Sequence, residues 1–152
     1  MPLFLRGGDL ISVDPMISGY HEPEIVALID FFARFGHDGF FLDIGANIGL
    51  ISCQVGHRFG VVHMFEPNPL VLPILRANVS IASKKKNYFI HEFGLGPRGE
   101  SLQMFVPNNN WGGAFVRSTD NEYNDSTLAK KDLNQTFDIS NYQKVDIRVE
   151  PT

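Results

Sequence analysis

Cysteine is almost missing from this 152-residue chain, where Cys53 stands alone. An internal disulfide is excluded, a structural zinc cage loses its usual thiolates, and a reducing compartment is expected. Long apolar runs are missing too. No stretch approaches the roughly 18 uncharged apolar residues of a membrane span. The start, Met1-Pro2-Leu3-Phe4-Leu5-Arg6-Gly7-Gly8-Asp9, lacks a signal-peptide core. Basic character is also scarce: the net charge is −4, and Lys84-Lys85-Lys86, the one basic run, reads as a solvated helix end. There are no internal repeats. These absences point to a cytoplasmic protein with no metal, no nucleic-acid partner and no membrane partner.

What is there suits one ordinary domain. A hydrophobic content of 43% against 20% charged is enough to bury a single core. Residues 1–22 read as a lead-in, with Leu3 to Leu5 and Leu10 to Val13 forming a strand pair or loop broken by Gly7-Gly8 and Pro15. Residues 23–152 read as the domain proper. Pro23 opens a helix whose stripe is Ile25, Leu28, Ile29, Phe32 and Phe35, ended by Gly36 and Gly39. Gly39 to Ile44 is almost wholly apolar, as in a strand buried on both faces. A helix from about Ile48 to Phe59 and a strand Val61 to Phe65 complete a βαβ unit, which implies parallel strands.

Asn68 and Pro69 can open the next helix, with Pro73 delaying or bending it. Asn87 to Phe93 reads as a third strand and Ser101 to Val106 as a fourth, a hairpin partner. The composition then turns to Asn, Asp, Ser and Thr, so 107–142 is expected to be a polar loop insertion with at most a short helix near Leu128 to Leu133. Gln143 to Glu150 reads as a final strand.

The first of the paired strands runs into Asp43-Ile44-Gly45-Ala46-Asn47-Ile48-Gly49. A glycine turn between a buried strand and a helix places ligand at the carboxyl end of a parallel sheet. A dinucleotide fingerprint starting at Gly45 needs glycine at 47 and 50, but Asn47 and Leu50 stand there. The backbone then has no special reason to approach a pyrophosphate, and Asp43 would repel one. A cationic ligand reverses that logic. S-adenosylmethionine carries an ammonium and a sulfonium, so Asp43 becomes an asset, while Gly45 and Gly49 let the chain turn beneath the methionine portion. Glu66 follows Gly45 by 21 residues, where a carboxylate can meet a ribose diol. Asn68 and the turn Phe93-Gly94-Leu95 would supply the adenosine wall. Asn47 suits either ligand contact or a structural amide.

The run FLDIGANIGLIS followed by FEPNP resembles the FkbM-type methyltransferase family. The likeness spans residues 18 to 106, and more loosely to 150. It takes in Asn78, Gly94-Leu95-Gly96 with Gly99, and Gly19-Tyr20-His21-Glu22-Pro23. It implies an α/β, Rossmann-like class I fold: a parallel sheet with helices on both faces, its first strand central. It also implies cofactor contacts at Asp43, Gly45, Ala46, Asn47, Gly49, Glu66, Asn68 and Gly94, with Tyr20 and Glu22 in a lid. The implied reaction is methyl transfer, commonly to an oxygen of a sugar or other small acceptor. The family's next core strand, with a Lys-x-Asp-x-Glu-Gly motif, has no match here, which implies truncation before that fourth core strand. The alternative is a non-catalytic cofactor-binding or interaction module.

Plainer roles suit the remaining residues. His63 reads as a buried, hydrogen-bonded strand histidine, His91 as a strand residue remote from the transferred methyl, and Cys53 as a small buried helix residue. Trp111, within Asn108-Asn109-Asn110-Trp111-Gly112-Gly113, reads as a loop anchor or an acceptor-stacking ring. No general base is named.

Overall fold

The computed structural model describes residues 2–83, 87–117 and 138–152. The lead-in is not a strand pair: Leu10–Ser18 forms a helix, α1. Asp9 caps it by accepting the Ile11 N–H, and left-handed Gly19 ends it. Pro15 sits inside the helix, which runs on to Ser18 although a proline gives up its own N–H there and crowds the carbonyl four residues back. Pro23–Arg34 forms α2 as expected, followed by left-handed Gly36.

Phe40–Ile44 is β1 and Leu50–Val55 is α3, continued by a 3₁₀ turn at Gly56–Arg58. The α-helix is shorter than the expected span because the chain tightens at Gly56, where a Cβ would run into the Tyr88 hydroxyl. Val61–Phe65 is β2. The next helix, α4, starts late, at Leu72–Ala82, with Pro73 at its second position, where the missing N–H removes no intrahelical bond. Tyr88–His91 is β3.

These three strands are parallel, in the order β1-β2-β3, with Phe41 opposite Val62 and Val62 opposite Tyr88. On one face, Phe41, Val62, Met64, Tyr88 and Ile90 pack with Val26 and Ile29 of α2, Val55 of α3 and Leu75 of α4. The other face carries Phe40, Leu42, Ile44 and Phe89, all exposed. β1 is therefore an edge strand buried on one side, not a central strand buried on both.

The rest of the chain overturns the expected Rossmann-like sheet. Gly94–Gly96 (β4), Glu100–Pro107 (β5), Phe115–Val116 (β6) and Tyr142–Pro151 (β7) make a separate four-stranded sheet, in the order β4-β7-β5-β6. β4 and β7 are parallel, whereas β5 runs antiparallel to both of its neighbours. The architecture is mixed α/β with two sheets. The reason lies in the connections. A parallel crossover needs about a dozen residues or more, and only Pro97, Arg98 and Gly99 separate β4 from β5. The eight-residue β5 instead pairs along its length with β7, so the fourth strand is not a hairpin partner of the third. Met104, Val106, Ile147 and Val149 form this sheet's own core. The possible short helix at Leu128 to Leu133 lies outside the described residues.

Candidate functional site

The turn from β1 to α3 concentrates unusual backbone. Gly45, Asn47 and Gly49 all have positive φ, at 82°, 50° and 82°. Glycine adopts this region without penalty, and asparagine tolerates it better than most residues. Asn47 helps by accepting its neighbour Ile48's N–H on Oδ1 at 2.7 Å. A Cβ at Gly45 would meet nothing within 4 Å, so the space above it is open. At Gly49 a Cβ would lie 2.7 Å from Leu75 Cδ1, so that glycine serves the close approach of α4.

Two carboxylates flank this turn. Asp43 accepts the Ser52 hydroxyl at 2.6 Å. Glu66, only 6% exposed, accepts the Asn47 N–H at 2.8 Å on one oxygen and the Asn68 N–H at 2.7 Å on the other. It thus bolts the β1–α3 turn to the segment after β2. Burial raises the pKa of both carboxyls: the Ser52 contacts partly offset this at Asp43, and at Glu66 the two backbone N–H groups oppose it while the Asp43 charge adds to it. Neither carboxylate takes part in an ion pair among the described residues.

Around them the structure gathers most of the residues singled out from sequence. Ala46 is buried in the main core and donates its N–H to the Phe65 carbonyl at 3.1 Å. Asn68 is buried, with Oδ1 accepting the Leu70 N–H at 3.0 Å and Nδ2 left without a partner. A Cβ at Gly94 would touch Pro67 at 3.6 Å, placing β4 beside the Glu66–Asn68 segment. Tyr20 and Glu22 sit apart, exposed on the α1–α2 connection. Tyr20 lines a cleft along α3, and Glu22 holds a left-handed conformation before Pro23.

Three residues given no role from sequence prove to build the surroundings. Asn78, fully buried, donates to the carbonyls of Ile48 at 2.8 Å and Phe4 at 3.1 Å, and accepts the Phe4 N–H at 2.6 Å. It ties both the turn and the N-terminal segment to α4. Asp9 accepts from the Ile11 N–H, Arg6 Nη1 and the Trp111 N–H. Arg6 in turn lies 4.0 Å over the Trp111 ring. Trp111 is the loop anchor, packing with Ile48, Leu50 and Val71. The neighbouring Gly112 brings its loop against the turn, since a Cβ there would be 3.3 Å from Asn47 Nδ2. The one sequence signal for this assembly was Asp9 standing before an apolar stretch, as an N-cap does.

The histidines lie elsewhere. His63 Nδ1 and His91 Nε2 are 2.9 Å apart on the open face of the three-stranded sheet, and burial together with His63 lowers the His91 pKa. Cys53 is buried, and desolvation, with the Asp43 charge, pushes its thiol up to about 12, so it is protonated at neutral pH. Among the described residues no group of three or more His, Cys, Asp or Glu could hold a metal ion. No helix among them is long and apolar enough to cross a membrane. No family model matches the chain, and a search of curated proteins finds no match.

Proposed function

We propose that the chain binds S-adenosylmethionine at the turn between β1 and α3 and serves as a cytoplasmic methyltransferase acting on an oxygen of a small acceptor. The observation that carries this reading is the pair of buried carboxylates, Asp43 and Glu66, with no cation paired to either among the described residues. Buried charge is ordinarily paired, and a ligand bearing an ammonium and a sulfonium brings the missing positive charge. The FLDIGANIGLIS and FEPNP strings, similar to those of FkbM-type methyltransferases, support the same ligand.

The residues present fit it. The space above Gly45 is open, and Asn68 Nδ2, a buried donor without a partner, has an acceptor to find in a purine or a ribose. When bound, S-adenosylmethionine supplies a methyl carbon already activated by the sulfonium. The chain's own work is positioning: Asp43 faces the cationic end, and Glu66 fixes the turn while keeping a lone pair on each oxygen for a diol. A hydroxyl acceptor also needs a base, and the turn provides none beyond these two carboxyls.

One observation favours the second reading, a cofactor-binding or interaction module without turnover. Each Glu66 oxygen already accepts a backbone N–H, as a residue that merely holds a turn would. Calorimetric titration of the chain with S-adenosylhomocysteine tests the site. Saturable binding is expected, weakened roughly tenfold or more in Asp43→Asn through loss of a charge-assisted contact. Absence of binding, or binding indifferent to Asp43→Asn and Glu66→Gln alike, rules the assignment out. Binding without methyl transfer to any hydroxylated acceptor selects the module.

A further inference from the structure

We propose that a second ligand site lies along the outer flank of α3, a cleft of ≈ 760 Å³ that takes a neutral, mostly apolar small molecule carrying a hydrogen-bond donor. The cleft is framed by Leu3, Val26, Leu50, Cys53, Ile81 and Tyr88. Its volume falls within the roughly 300–1,000 Å³ of small-molecule sites. Among the described residues no aspartate, glutamate, lysine or arginine lines it. Against these residues a charged ligand would lose hydration with no carboxylate, ammonium or guanidinium in return, so a neutral occupant suits them.

The donor requirement comes from two residues of the wall. Asn87 donates from Nδ2 to the carbonyls of Phe59 and Gly60, both at 3.1 Å. Those contacts determine which way the amide faces, because a flipped amide would set oxygen against two carbonyl oxygens. Its Oδ1 is buried and has no partner. His21 Nδ1 is buried and unpartnered as well. The His21 backbone is held to α3 by Gln54, which accepts its N–H at 3.4 Å and donates to its carbonyl at 3.1 Å. Interior polar atoms nearly always find partners. Of these two atoms Asn87 Oδ1 is strictly an acceptor, and a ligand hydroxyl is the group that completes it. The Cys53 thiol, held protonated, leaves the binding non-covalent.

This site is distinct from the glycine turn. Tyr88 opens β3 and lies level with Val62 and Phe41, at the amino end of the sheet, whereas the turn leaves β1 at its carboxyl end. Of the candidate cofactor residues only Tyr20 lines the cleft. The inference therefore stands whether or not a methyl donor binds.

The test is titration of the full chain with 2-naphthol, and with naphthalene and 2-naphthoate as comparisons. Saturable one-to-one binding of 2-naphthol is expected. Naphthalene, lacking the donor, should bind roughly fivefold to tenfold more weakly, and the anionic 2-naphthoate roughly tenfold more weakly or worse. Ala82→Trp, which fills the cleft, should abolish binding. Phe40→Lys, on the open sheet face, should leave it unchanged. If Ala82→Trp fails to fold, nuclear Overhauser contacts from 2-naphthol to the Val26, Leu50 and Ile81 methyls in the unaltered chain carry the test. Non-saturable uptake, equal affinity for all three probes, loss on Phe40→Lys, or contacts to other methyls would overturn the proposal.

Discussion

Gly49 shows how much one residue can carry. It combines a φ of 82° with a Cβ position 2.7 Å from Leu75 Cδ1. Gly49→Ala should lower unfolding free energy by about 2–4 kcal/mol, from left-handed strain plus overpacking, as read by urea denaturation. Gly45 has the same φ with open space above it, so alanine there meets only the conformational term. Asp43 and Glu66 act through charge. Both pKa values are raised in the folded chain, so between the ordinary carboxyl value near about 4 and the raised native values the folded state holds more protons than the unfolded one. Stability from these groups is therefore greatest at low pH and is lost as pH rises through that window. Asp43→Asn removes its own share and relieves Glu66 of a like charge. Its urea midpoint should fall less than the parent's between about pH 4 and about pH 7, and an equal or steeper fall would contradict the burial argument. These positions were legible in the sequence because few residue types tolerate what the turn demands. The Asn47 partner of Glu66 was not, since it is a backbone amide of a turn that only the folded chain brings near, whereas Asn68 follows Glu66 in the same segment.

Among the elements, α1 was misread and α4 was read well, for related reasons. Pro73 in α4 announced either a late start or a bend, and the helix starts late, with the proline where it is harmless. Pro15 in α1 looked like a breaker, but the Asp9 cap and the Gly19 stop outweigh one missing bond. Asp9 also carries the contact to the loop around Trp111. Asp9→Ala should thus cost about 1–3 kcal/mol and, more tellingly, speed amide hydrogen exchange at Trp111 as well as in the first turn of α1. Exchange altered in α1 alone would mean that the cap and the loop are independent. β1 was placed correctly in sequence but wrongly in the fold, because an apolar run does not say how many of its faces will be covered.

For the whole molecule the governing fact is the uncovered face. Phe40 is 67% and Ile44 65% exposed, on a parallel sheet that α2, α3 and α4 pack against from the opposite side. Parallel sheets are ordinarily covered on both faces, and an apolar face beside an open edge strand favours self-association. Light scattering over a concentration series should show association of the unaltered chain and a monodisperse Phe40→Lys/Ile44→Lys variant. Equal behaviour of the two would show that the association, if any, runs through other surfaces, such as the exposed Leu28 and Phe31 of α2 and the Phe35 that follows it.

The sequence by itself determined what local chemistry can determine: the strand–turn–helix around Gly45, the parallel pairing of β1 with β2, a late start or bend of α4 at Pro73, and the acidic character of the turn. Each rests on backbone preferences or on periodicity within a few dozen residues. Tertiary structure alone decided the rest. It gave β7 to β5 and β4 rather than to the first sheet, and it made Glu66 the bolt between two loops. It also left one face of β1 open and set Asn87 and His21 in the wall of a cleft. Those outcomes depend on which distant segments pair and pack, and residue order states that only indirectly.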